Sequence, residues 1–207
     1  MLSIRQLGAQ VLAGTKERED GLAYVLSQVL SPPVIAVAGA VLAATSLNTP
    51  AAWLWGGVYI AGAVLVPLVY VLWLVARGVV ADIHLPSRRD RLRPNVVAVA
   101  AAWAVWAAMW HSAAPEPLRL LAVINVAQTM LFLAITLWWK ISLHLIALTA
   151  LFALSLWFLG AAAWPLAVLV PALAWSRVYL GRHTLSQTLA GMGVGGGVVA
   201  ACLLLSG

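Results

Sequence analysis

The apolar runs of this chain are each about as long as a bilayer is thick, and they exclude nearly every charge. Residues 22–47, 51–76, 95–112, 118–139, 145–160, 161–175 and 185–205 carry Arg119 as their one Asp, Glu, Lys or Arg. A helix needs ~20 apolar residues to cross the ~30 Å hydrocarbon layer, so runs of this length are candidate membrane spans. The sixth is the shortest, at ~22 Å if helical. Composition points the same way. Of 207 residues, 64% are hydrophobic and 9% are charged, and the mean hydropathy is +1.00. A soluble domain keeps roughly a quarter of its residues charged, so this chain must use lipid as its solvent. The expected fold is an all-α integral membrane protein, a bundle of six or seven transmembrane helices with a polar site at one membrane face. A single domain is expected over 1–207, with 1–21 as an interfacial N-terminal segment and 22–207 as the helical bundle.

The breaks between runs carry turn chemistry. Pro32-Pro33 should kink the first run, because proline removes a backbone donor and crowds the preceding turn. Asn48-Thr49-Pro50 and Pro115-Glu116-Pro117 read as turns, and Arg77 to Pro94 is the one long polar connection. Most of the eleven tryptophans are expected at the membrane interfaces and on lipid-facing surfaces. The start, MLSIRQLGAQVLAGTKERED, lacks the apolar core of a cleavable signal and is expected to stay on the mature chain. Cys202 stands alone, so no disulfide framework exists. A pI near 10.3 raises nucleic acid as a partner, but the basic residues are too few and too localised for a nucleic-acid stripe.

If the spans alternate, one face collects Arg5, Lys16, Arg18, Arg77, Arg88, Arg89, Arg91, Arg93, Lys140, Arg177 and Arg182, and the other collects Arg119. That asymmetry predicts a cytoplasmic rich face and an N-terminus inside. It also brings three polar segments to one depth: Arg88–Pro94, Lys140–His144 and Ser176–Gln187. Converging guanidiniums suit a tetrahedral oxyanion, and histidine is the side chain suited to attack or proton transfer near neutral pH. The Arg88–Arg93 run taken alone also reads as a headgroup-binding, orientation-setting loop. Thr184-Leu185-Ser186-Gln187 reads as a capping box, and a helix starting there would aim free N–H groups at an anion beside His183. His84 and His111 read as loop and interfacial residues. The glycines at 191, 193, 195, 196 and 197 read as close helix packing.

At these residues the chain resembles the type 2 phosphatidic acid phosphatase family, the lipid phosphate phosphatases. That family's pattern is a basic stretch ending Arg-Pro, a Ser-Gly-His segment, and Ser-Arg-x5-His-x3-Asp. Here Arg93-Pro94 ends the first, Ser142-Leu143-His144 stands second, and Ser176-Arg177 with His183 fits the third. The resemblance implies a membrane-embedded phosphatase that uses no metal or other cofactor and acts on a lipid phosphate through a phosphohistidine. In that reading His183 attacks and His144 is general acid, then base. Arg177 clamps the phosphate with Arg88, Arg89, Arg91 and Arg93, beside Lys140, Ser142 and Arg182. Three positions depart from the pattern. Pro86 stands where the family has lysine, so Arg88, Arg89 or Arg91 is expected to supply that charge. Leu143 stands for glycine. Gln187 stands for the aspartate that orients the nucleophile; its neutral oxygen can fix the tautomer but stabilises an imidazolium less than a carboxylate does, and Asp82 or Asp90 stands as an alternative source of charge. Partners implied are a lipid phosphate substrate and membrane lipids, without nucleic acid. Two other classes stay open: a Mg²⁺-dependent intramembrane prenyltransferase, which needs aspartate clusters, and a lipid- or anion-binding or transport protein, which wants charges inside the spans.

Overall fold

The computed structural model describes residues 20–80, 85 and 87–206, with the side chains of Arg88 and Ser206 left out. Arg5, Lys16, Arg18, Asp82, His84 and Pro86 lie outside the described residues, as does most of the expected 1–21 segment. Every regular element among the described residues is helical. Five helical runs are long and apolar enough to cross a membrane, and a bent pair near the start makes a sixth. Nine of the eleven tryptophans are exposed, Trp138 at 76%. This surface suits a hydrocarbon solvent.

The bent pair is α1 (Asp20–Val29) and α2 (Pro32–Leu47), inclined by 43°. Pro32 and Pro33 open α2 behind Ser31. Proline is harmless at a helix start, where its missing N–H would be unsatisfied anyway, but it cannot continue a preceding helix. The expected kink is therefore a break between two helices. α3 (Pro50–Ala76) widens into a π turn over Ile60–Leu65, just ahead of Pro67. Within that turn Gly62 lies so close to α4 (Arg88–His111) that a Cβ would collide with Val105.

α4 starts earlier than the expected span at 95. Ser87 caps it, accepting the Asp90 N–H at 3.2 Å, so the basic stretch is the first turns of a helix and Pro94 lies inside it. α5 (Glu116–Thr136) returns antiparallel against α4, and Asn95 Nδ2 donates to Thr136 Oγ1 at 3.5 Å. The next run, Leu143–Tyr179, is 37 residues long. A straight helix of that length would hold its ends over 50 Å apart, yet Leu145 and Leu148 share one buried cluster with Leu173 and Ala174. The run doubles back at Gly160, whose φ of +58° favours glycine. Its limbs are α6 (Leu143–Leu159) and residues 160–179, here α7. α7 begins with nine residues of 3₁₀ helix, Gly160–Val168, and continues as α-helix over Leu169–Tyr179. At ~2.0 Å rise for the 3₁₀ part and 1.5 Å for the rest, α7 is ~34 Å long. The segment that looked short from sequence is therefore longer than its apolar run, both by composition and by rise. α8 (Leu185–Ser206) closes the bundle against α6.

Two helix contacts are made by small residues. Along α8, a Cβ on Gly191 would meet Ser142 O at 2.7 Å, and one on Gly195 would run into Ile146 O and Thr149 Oγ1. Gly193, Gly196 and Gly197 face open space, so the close packing expected of all five glycines belongs to two. On the other side of the bundle, Gly56 of α3 nests against Ala40 and Ala44 of α2.

Candidate active site

The corner between α7 and α8 is built by two local motifs that share no residue. α7 ends in a left-handed Gly181, φ +64°. The Arg182 N–H donates to Arg177 O at 3.1 Å and the Gly181 N–H to Val178 O at 3.0 Å. This is a Schellman turn, and the His183 N–H also donates to Arg177 O at 3.1 Å. The backbone thus fixes Arg177 and His183 relative to one another. α8 then starts with the expected capping box. The Gln187 N–H donates to Thr184 Oγ1 at 3.3 Å, and Gln187 Oε1 accepts the Thr184 N–H at 3.2 Å.

That same Oε1 lies 3.1 Å from His183 Nδ1. Because it accepts from a backbone N–H, the atom is the carboxamide oxygen and not its nitrogen, which settles the side-chain orientation. An oxygen can only accept, so Nδ1 carries the proton and the lone pair is on Nε2. Gln187 therefore does two jobs at once, capping α8 and fixing the tautomer of His183.

The other segments are tied to this corner. The Ser142 N–H donates to Gln187 O at 3.3 Å, which fastens the start of α6 and sets Lys140 and His144 nearby. Arg177 reaches across to α1, where its Nη1 donates to Ser27 Oγ at 2.6 Å, and Ser176 Oγ donates to Ala23 O at 2.6 Å. Arg91 Nε donates to Leu85 O at 2.8 Å. Arg177 is 5% exposed and His183 7%, and Ser27 and Ser142 are buried. Arg177 Nε and Ser142 Oγ are buried with no hydrogen-bond partner. A buried unsatisfied donor costs ~1–3 kcal/mol, so such groups in a native fold call for an acceptor.

Electrostatics at the corner are one-sided. His183 is pushed down to about 3, first by burial, then by the charges of Arg177, Arg91 and Lys140, with the Gln187 hydrogen bond opposing. Lys140 is also lowered, by burial and then by Arg91, Arg177 and Arg182. Among the described residues no carboxylate shifts His183, Asp90 included, and Asp82 lies outside them. Burial and the surrounding cations thus favour the neutral imidazole. Four cations, Arg91, Lys140, Arg177 and Arg182, gathered with no carboxylate among the described residues that shift them suit a multiply charged anion.

A cavity of about 590 Å³ opens beside this cluster, with Arg91, His144, Arg177 and His183 lining one end and no Asp or Glu among the described residues of its walls. This is the size range that encloses a small ligand. Compared with protein families, characterised proteins and solved structures, the chain matches no family model, no curated protein and no solved structure. The site is therefore read from its own geometry.

That geometry gathers part of the expected set. Arg91 joins the cluster because Arg91, Pro94, Asn95 and Ala98 share the α4 face that lines the cavity, at helical spacing. Arg89 and Arg93 are exposed on other faces and are not in its wall, so the arginine of the Arg-Pro pair stands outside the cavity. Arg182 and Lys140 are half-buried and act on the cluster through charge. Ser142 holds the N-cap position of α6 without a side-chain cap bond, its hydroxyl buried near α8 rather than in the cavity wall. Sequence reasoning missed Ser27. The one signal was its position, a hydroxyl beside Gln28 in a run of apolar residues, where a polar group needs a partner.

Proposed function

We propose that this protein is a membrane-embedded lipid phosphate phosphatase, independent of metal ions and working through a phosphohistidine. The observation that carries the reading is the His183 imidazole: buried, held as the Nε2 base by Gln187, and lining a cavity end shared with Arg177, Arg91 and His144. Arg177 and Arg91 hold the phosphate oxygens, and Lys140 and Arg182 add charge. His183 Nε2 attacks phosphorus as the bond to the lipid oxygen breaks, and His144 gives its proton to that leaving oxygen. Water then attacks the phosphohistidine, His144 takes the water's proton, the P–N bond breaks and inorganic phosphate leaves. The guanidiniums offset the charge that develops on the transferring group, which is where electrostatic preorganisation contributes most. The substrate is a lipid monophosphate or diphosphate whose hydrocarbon occupies the bundle. The chain crosses the membrane seven times in this reading, with the N-terminus and the site cytoplasmic, following the eleven-to-one bias of basic residues.

A second reading, lipid-phosphate binding or transport without turnover, is favoured by Asn125 and Gln128, uncharged polar residues in the cavity wall. The prenyltransferase reading has less support: among the described residues no three His, Cys, Asp or Glu side chains come together.

The test is phosphate release by purified protein from a panel of lipid phosphates in excess EDTA, with His183→Ala in parallel. Release by the wild type, lowered at least ~10⁴-fold in the variant, is the expected result, a loss typical of removing a nucleophile. Equal turnover by His183→Ala would sink the mechanism. Activity that needs added Mg²⁺ would favour the prenyl-diphosphate enzymes, and silence in both conditions the transport reading.

A further inference from the structure

The cavity has a floor. Its lining stops at Gly39 on α2, Tyr59 on α3, Leu121 on α5 and Leu154 on α6. One turn further on, Ala40, Ala43, Ala44, Ala52 and Leu118 belong to a single close-packed cluster. A Cβ on Gly56 would already stand 3.5 Å from Ala44 Cβ and 3.7 Å from Ala40 O, so no chain passes between α2 and α3 there. Two walls give the same depth. Leu154 lies ten residues beyond His144 on α6, and Leu121 lies eleven residues from Phe132 on α5, ~15 Å in each case.

The cavity also has a side opening. Val34 lines it and is 51% exposed to the surroundings of the bundle. Pro32 and Pro33 of α2 and Pro67 and Val71 of α3 stand at the same level. α2 packs on α3 over Pro50–Leu65, and the Val66–Ala76 part of α3, which packs on α4, barely touches it, so the opening lies where α2 begins at Pro32.

We infer that the cavity measures the substrate's hydrocarbon chain, admitting a single chain of about a dozen backbone carbons below the phosphate. An extended chain advances ~1.25 Å per C–C bond of ~1.5 Å, so ~15 Å holds about twelve. The inference rests on the phosphate site proposed above and deepens it, because the cation cluster fixes where the chain begins. A longer chain must turn back through the α2–α3 opening into the bilayer and loses enclosed contact. A short prenyl chain and a medium acyl or alkyl chain share this chemistry.

The experiment uses the full chain in nanodiscs with EDTA and non-hydrolysable alkyl phosphonates carrying a terminal diazirine. Photolysis of the dodecyl probe is expected to label the floor, at 59–63, 118–124 and 151–158, while the hexyl probe labels about half-way down, at the level of Gln128 and Ala147. Excess inorganic phosphate should suppress both patterns. At equal mole fraction, unlabelled dodecyl or farnesyl phosphonate should displace the dodecyl probe at least tenfold better than octadecyl phosphonate; whichever of the two leads assigns the chain as alkyl or prenyl. Labelling confined to lipid-facing residues such as Trp103 or Trp157, still suppressed by phosphate, would overturn the chain measure and leave the anion site standing. Labelling that phosphate cannot suppress would overturn the anion site and the chain measure with it. Equal displacement by dodecyl and octadecyl chains would also overturn the measure.

Discussion

α6 and α8 meet backbone to backbone along a glycine seam, whereas α2 and α3 pack over Pro50–Leu65 and leave a cavity beside them. Both contacts rely on residues without bulk. In the seam Gly191 and Gly195 bring backbone against Ser142, Ile146 and Thr149, and Gln128 Nε2 donates to Gly195 O at 3.3 Å, adding α5. Between α2 and α3 the nesting of Gly56 on Ala40 and Ala44 lies at the floor, and toward the charged end α2 stops at Pro32-Pro33 while α3 continues past its π turn and Pro67. The seam lies beside the corner that holds His183 and Gln187; the cavity carries the space. Chemistry needs atoms held to within fractions of an ångström, while a long substrate needs a gap. One bundle supplies both by packing one pair of helices backbone to backbone and leaving a cavity beside the other.

The comparison breaks most sharply at Ser27, which belongs to the α1 side yet serves the seam. Ser27→Ala removes the acceptor of Arg177 Nη1, leaving a guanidinium whose Nε is already unpartnered. Turnover should fall about a hundredfold, the cost of misplacing a positioning group by ~1 Å, with KM for the lipid changed far less than kcat. Ser27→Thr, which keeps the hydroxyl, should restore most of it. A loss in Ser27→Ala that threonine does not rescue would mean that the contact only packs α1 on α7.

Glycine substitutions compare the two contacts directly. Gly195→Ala places a methyl into Ile146 O and Thr149 Oγ1 and should cost ~1–3 kcal/mol, as overpacking does. Gly56→Ala meets its neighbours at ordinary contact distance and should cost less than ~1 kcal/mol. Gly193→Ala faces open space and should be neutral or slightly stabilising through helix propensity. Thermal unfolding in one detergent ranks the three, and a Gly56 variant less stable than the Gly195 variant would reverse the assignment of the tight contact.

The seam was largely legible in the sequence because its devices are local. Thr184 and Gln187 spell a capping box within four residues, and Gly191-x3-Gly195 spells a helix contact within five. Ser176-Arg177 with His183 fixes a corner whose backbone turn and cap bonds lie within a dozen residues. What the sequence left open depends on distant partners or on helical phase. Which arginine of 88–93 enters the cavity could be read only once α4 was seen to start at Arg88, since that start decides which face each residue occupies. The extra length of α7 comes from a 3₁₀ stretch that no apolar count shows. The cavity is a place where side chains do not meet, and absence of contact leaves no periodic mark. Ser27 bonds a residue 150 positions away.

Acidity separates the two regions least, but its sign is definite. His183 has a native value of about 3, against ~6.5 in an unfolded chain. Between those limits the unfolded chain binds the proton and the native one does not, so stability is fully present above about pH 6.5 and falls as pH drops toward 3. The unfolding temperature in detergent should therefore decline from pH 7 to pH 4, and less so in His183→Gln, which carries no titrating ring. Inorganic phosphate should flatten the wild-type decline. A bound anion offsets Arg177, Arg91 and Lys140, raises the native pKa of His183 and shrinks the difference in bound protons that drives the loss. A wild-type slope equal to that of His183→Gln, with or without phosphate, would mean that His183 is not held neutral by the burial and charge around it.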